Sequence, residues 1–95
     1  MIYPVEDMIF KDTDGDYCLI TYVCDGDVEF IYSSDLNRII EAKNDNTIWD
    51  DFDEDRYGED YCESHLNDGS WKVIEAGTDR KKVSKWREEI CPTQN

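Results

Sequence analysis

Apolar and polar residues alternate with a period of two through the first third of the chain, and two Asp-Gly pairs interrupt the alternation, at Asp14-Gly15 and Asp25-Gly26. A two-residue type I′ turn needs positive φ at both central residues, which Asp-Gly supplies. The pattern predicts a three-strand meander over residues 7–12, 16–24 and 27–33. With two-residue loops, Phe10 faces Leu19 and Met8 faces Thr21. Across the second turn, Val23 faces Val28, Thr21 faces Phe30 and Leu19 faces Tyr32. One face then carries Met8, Phe10, Tyr17, Leu19, Val23, Val28, Phe30 and Tyr32, and is expected to be the core. The other is amphipathic: an isoleucine row, Ile9, Ile20 and Ile31, runs among Asp7, Lys11, Cys18, Tyr22, Cys24 and Glu29.

The period then changes to that of a helix. Leu36, Ile39, Ile40 and Lys43 recur at i, i+3, i+4 and i+7 behind Ser33 or Ser34 as N-cap, with an end near Asn44-Asp45-Asn46. Tyr57, Tyr61 and His65 are spaced by four, beside Cys62 and Leu66, which predicts a short helix over about residues 59–66. Trp49 and Phe52 are expected to pin the preceding loop to the core. Residues 70–75 read as a fourth strand. Thr78 then caps a helix with Val83, Trp86 and Ile90 on one stripe, and Pro92 ends it. The order is β-β-β-α-(α)-β-α. It predicts one acidic α+β domain over residues 1–95, a small antiparallel sheet with helices packed on one face.

Charge changes what this fold is expected to do. The chain holds 24 Asp and Glu against ten Lys and Arg, for a net charge of −14. Residues 1–71 carry 20 of the acids and four of the bases; residues 72–95 carry four acids and six bases. Such a surface repels nucleic acid and anionic membrane, and attracts the basic clefts of other proteins. No basic region followed by an apolar run opens the chain, and no apolar stretch approaches the ~20 residues of a membrane span, so a cytoplasmic protein is expected. Without a secretory context, Cys18, Cys24, Cys62 and Cys91 are expected as reduced thiols.

Catalytic and metal chemistry find little in the sequence. Asp12-Thr13-Asp14-Gly15-Asp16 invites comparison with a calcium loop, but Tyr17 stands where glycine is needed and Val23 where glutamate is needed. It reads as a hairpin turn with solvated carboxylates. Cys62 and His65 are three apart, but zinc needs two further ligands. Cys18 and Cys24 would stand ~20 Å apart on one intact strand. No metal or cofactor is expected. His65 is the single histidine, no glycine-rich phosphate loop occurs, and the chain is read as not an enzyme.

The stretch of residues 49–63 is the candidate site. It sets Trp49, Phe52, Tyr57 and Tyr61 among Asp50, Asp51, Asp53, Glu54, Asp55, Glu59, Asp60 and Glu63. Asp25, Asp27, Asp35 and Glu41 extend the charge pattern. Aromatics within an acidic run serve as anchors to a rigid body or as interface hot spots inside a charged rim. Duplex DNA presents one negative charge per ~1.7 Å of axis, and a folded acidic surface can imitate that field. In length, charge and expected compact α+β form, the chain resembles the small acidic DNA-mimic inhibitors of phages and mobile elements, of the anti-restriction and anti-CRISPR kind. Acidic immunity proteins that neutralise nuclease toxins share these features. The resemblance implies a basic nucleic-acid-binding protein as partner, no direct binding of nucleic acid or membrane, and residence in the host cytoplasm if phage-encoded. A regulatory protein–protein interaction module is the alternative.

Overall fold

The computed structural model describes residues 1–77. It is an α+β fold built on a five-stranded antiparallel sheet in the order β4-β3-β2-β1-β5. The strands are β1 (Ile9–Lys11), β2 (Tyr17–Cys24), β3 (Asp27–Ser33), β4 (Asp53–Gly58) and β5 (Lys72–Glu75). Helix α1 (Leu36–Asn44) and a 3-10 helix (Asn46–Asp51) follow β3, and α2 (Glu59–Asp68) follows β4. The predicted order of elements is present, with β4 added. The expected C-terminal helix from Thr78 lies outside the described residues.

The second hairpin is the predicted one. Asp25 (φ 56°) and Gly26 (φ 85°) both occupy the left-handed region, and Val23 pairs with Val28. The first hairpin differs by one residue. Lys11 pairs with Tyr17, and Phe10 with Cys18 rather than with Leu19. The Asp12 carboxylate explains the shift: its Oδ1 accepts from the N–H groups of Asp14 and Asp16, both at 2.9 Å. That fixes a turn beginning at Asp12, closed by Gly15 N–H on the Asp12 carbonyl, with Gly15 alone at positive φ. The loop is therefore three residues long, a turn followed by a left-handed glycine.

A bulge in β2 completes the correction. The β2–β3 register shifts between Ile20 and Tyr22, so Ile20 rather than Thr21 pairs with Phe30, and Leu19 pairs with Ile31 rather than Tyr32. Ile20 and Val23, three apart, consequently share a face. One core holds Met8, Phe10, Cys18, Ile20, Val23, Val28 and Phe30 with Cys62 and Leu66 of α2 and Trp71. The second holds Ile9, Leu19 and Ile31 against Ile39 and Ala42 of α1, with Trp49 and Phe52 beside them. The expected core-face positions of Leu19 and Tyr17 are thus reversed with those of Cys18 and Ile20. The two helices cover opposite faces rather than one, because a fully apolar row on the second face needs its own cover.

Local signals also differ in detail. The N-cap of α1 is Asp35, whose Oδ1 accepts from Asn37 N–H at 3.0 Å, and Ser33 Oγ accepts from Asp35 N–H one step earlier. Helix α2 ends at Gly69 in the left-handed region (φ 87°). Cys18 and Cys62 are buried free thiols, as expected at those two positions, and Cys91 lies outside the described residues. Among the described residues, no helix is long and apolar enough to cross a membrane.

Candidate partner-binding surface

The fold cuts the acidic stretch into three ordered pieces. In the first, Trp49 and Phe52 are half-buried on the α1 side of the sheet. Trp49 Nε1 donates to the Ala42 carbonyl at 2.9 Å, and the Arg38 guanidinium lies 5.1 Å from the centre of the Phe52 ring. These two aromatics hold the stretch to the core, as expected. Asp50 and Asp51 stay exposed between them.

The second piece is β4, where the sequence suggested a loop. Aspartate and glutamate disfavour strands, so propensity hid it. Pairing with β3 along its whole length holds it: Tyr32 opposes Asp53, Phe30 opposes Asp55 and Val28 opposes Tyr57. Those three residues of β4 therefore share the α2 side, while Glu54 and Arg56 point to the α1 side. Arg56 is the lone base of the stretch, and its Nη2 donates to Glu29 Oε2 at 2.6 Å. The third piece opens α2. Glu59 and Asp60 occupy the first turn, where the helix dipole favours negative charge. Asp60 is exposed, Glu59 and Glu63 are half-exposed, and Tyr61 keeps 49% of its surface in solvent. Of the residues that extend the pattern, Asp25 lies in the second turn and Asp27 opens β3, and Asp35 and Glu41 sit on α1 or its cap, all exposed.

The structure thus brings Asp53, Asp55, Tyr57 and Tyr61 to one side and leaves Trp49, Phe52 and Glu54 on the other. It also adds residues that the sequence reading did not place in the site. A cleft of about 310 Å³ opens on the α2 side. Asp12, Asp14 and Asp16 of the first loop and Asp55 of β4 supply its carboxylates, and Tyr57, Tyr61 and Trp71 its aromatic walls. Trp71 is stacked between Phe10 (4.5 Å between ring centres, 13° from parallel) and His65 (4.8 Å, 17°). Tyr61 meets Tyr57 at 4.9 Å and the edge of His65 at 4.5 Å. The alternation signal could have placed the loop carboxylates here only with β4 recognised as a strand.

The titrating groups around the cleft register its negative field. The Tyr57 phenol is held above its ordinary pKa by hydrogen bonding to Asp55 and by the charge of that carboxylate. Tyr32 is raised by desolvation and then by Asp53, Asp55 and Asp16. Burial pushes the Cys18 thiol up, with Asp12 and Asp16 adding to it.

Ser70, His65 and Asp68 have the residue types of a hydrolytic triad but not its wiring. His65 Nδ1 and Ser70 Oγ are 2.7 Å apart, yet Ser70 Oγ also donates to Asp68 Oδ1 at 2.6 Å, so the carboxylate orients the serine and not the imidazole. Asp68 also accepts from Ser70 N–H, which makes the cluster a turn after α2. Cys62 is buried in the core, and His65 is half-buried. Among the described residues, no three His, Cys, Asp or Glu side chains are arranged to hold a metal ion.

Compared with models of protein families, with curated proteins and with solved structures, the chain matches none of them.

Proposed function

We propose that the chain is a non-enzymatic cytoplasmic inhibitor that presents an acidic face to a DNA- or RNA-processing protein and occupies its basic cleft. The observation that carries this reading is β4 itself. Asp53, Glu54 and Asp55 follow one another along an edge strand, with the single neighbouring base, Arg56, neutralised by Glu29. An extended strand advances ~3.3 Å per residue, close to the ~3.4 Å at which one DNA strand presents its charges. Seen from the β4 edge of the sheet, carboxylates of both faces contribute to one row. Asp50 and Asp51 prolong it at one end, and Glu59, Asp60 and Glu63 at the other. Restriction and CRISPR enzymes have basic clefts of the required kind, and nuclease toxins have them too.

A second reading, a regulatory protein–protein module, is favoured by one feature: the half-exposed Tyr61 packed on Tyr57. Salt separates the two, since a field weakens steeply with ionic strength and an apolar contact does not. The test begins by capturing proteins from the host lysate on the immobilised chain and eluting them with salt or competing DNA. The captured partner should be a nucleic-acid-binding protein. Changing Asp50, Asp51, Asp53, Glu54 and Asp55 together to amides should weaken its binding by about 100-fold or more, chiefly through association rate. Asp51→Asn alone should cost on the order of 0–1 kcal/mol. Wild-type affinity of the five-fold variant at low salt would sink the mimicry.

A further inference from the structure

The cleft between the first hairpin loop and α2 combines two features that a plain acidic surface lacks. Its walls are flat aromatic rings fixed by packing, and its rim is made of carboxylates from two separate elements, Asp16 before β2 and Asp55 on β4. Among the described residues, no lysine or arginine lines it. At about 310 Å³ it stands at the lower end of ligand pockets, suited to a side chain or a small molecule rather than a peptide.

A cation over an aromatic face is attracted by the ring quadrupole, and adjacent carboxylates complete its hydrogen bonding. The shape of the site selects among cations. An ammonium is a compact, strongly hydrated charge. A guanidinium is planar and weakly hydrated, stacks on rings, and donates in a fork that fits carboxylates. Tyr61 packs against Tyr57, with 4.9 Å between ring centres, and keeps half its surface in solvent, while the Trp71 indole, held on both faces by Phe10 and His65, backs the cleft. Trp71 is buried and Tyr61 half-exposed, so the cleft has a fixed floor and an open side.

We infer that this cleft is a pocket for one guanidinium group, supplied by an arginine side chain of the basic protein that the acidic edge attracts. The inference deepens the reading above and rests on it for the nature of the partner, while the pocket rests on its own geometry. Charge along β4 brings the partner in; the pocket fixes the register in which it docks. Nucleic-acid clefts are lined with arginine, so the chemistry is at hand in the partner that the field selects.

The pocket can be tested without the partner. N-acetyl-arginine amide and N-acetyl-lysine amide are titrated into the full chain and followed by NMR. The arginine probe should shift resonances of Trp71, Tyr57 and Tyr61, and bind about five-fold or more tighter than the lysine probe. Asp55→Asn and Tyr61→Leu should each weaken the arginine probe by about three-fold or more. Asp45→Asn, at the cap of the 3-10 helix, should leave it unchanged. Equal binding of the two probes, with shifts spread over all the acids, would show diffuse attraction and overturn the pocket. A chain that fails these tests yet loses its partner steeply with salt keeps the mimicry and loses the pocket. A chain that binds the arginine probe in the cleft but captures no basic partner keeps the pocket and loses the mimicry, and with it the arginine donor named here.

Discussion

The Glu6 carboxylate accepts a hydrogen bond from the Val23 backbone N–H at 2.8 Å, across 17 residues and in the interior of the protein. The backbone ladder between the N-terminal segment and β2 stops at Ile20, which accepts from Asp7 N–H and donates to the Met8 carbonyl. Beyond the bulge the strand needs another acceptor, and the side chain of Glu6 supplies it. Glu6→Leu should therefore lower the free energy of unfolding by about 1–3 kcal/mol, the cost of a buried donor left unmet. Glu6→Gln retains an acceptor and should cost clearly less. Urea melts with unchanged slope give the comparison; equal losses in the two variants would show that the charge, and not the hydrogen bond, is what matters.

Alkaline pH should destabilise the fold. Burial, with help from Glu59, pushes the Cys62 thiol from 9.0 up to about 12, and burial raises Cys18 as well. A raised pKa means that the folded state favours the protonated thiol. Its contribution is complete below the ordinary value and is lost as pH rises through the folded one. Tyr32 and Tyr57, also raised, act in the same direction. Urea midpoints should fall between about pH 9 and 11, and Cys62→Ala should flatten that fall. Neither buried thiol should react with a thiol reagent near neutral pH until the protein is unfolded.

The second turn depends on Gly26. Its φ of 85° is one that β-branched residues resist, and space around it is open, so the backbone alone sets the penalty. Gly26→Val should cost about 1 kcal/mol or more in thermal or urea melts. Gly15→Val should behave alike, from a φ of 89°. Stability equal to the wild type in both would refute the turn geometry.

How much of this was legible in the chain can be traced through β2. The sequence aligned Phe10 with Tyr32 across the middle strand, and the structure does the same. It placed Leu19 between them, where Cys18 stands. The two register errors offset each other, one from the three-residue loop that Asp12 sets and one from the bulge near Thr21, and no alternation pattern reveals them because Cys18 and Ile20 are as apolar as Leu19. Helix α1 was legible from its periodicity, but its cap was not, since Ser33, Ser34 and Asp35 are all competent caps in a row. In the candidate site, Asp53, Asp55, Tyr57 and Tyr61 were named from composition. Their common side was hidden, because it requires a strand made largely of residues that avoid strands. The cleft was hidden further still, since Asp16 and Asp55 meet only through the pairing of Tyr32 with both Cys18 and Asp53.

Among the described residues, β4 is also where the sheet ends on one side. An edge strand exposes a row of unpaired backbone groups, and another copy of the same chain is the nearest source of a matching strand. Here the approaching copy would have to lay Asp53, Glu54 and Asp55 beside its own. The edge that invites growth is thereby the edge where like meets like, and the acidic side chains of β4 act as a barrier against assembling into fibrils.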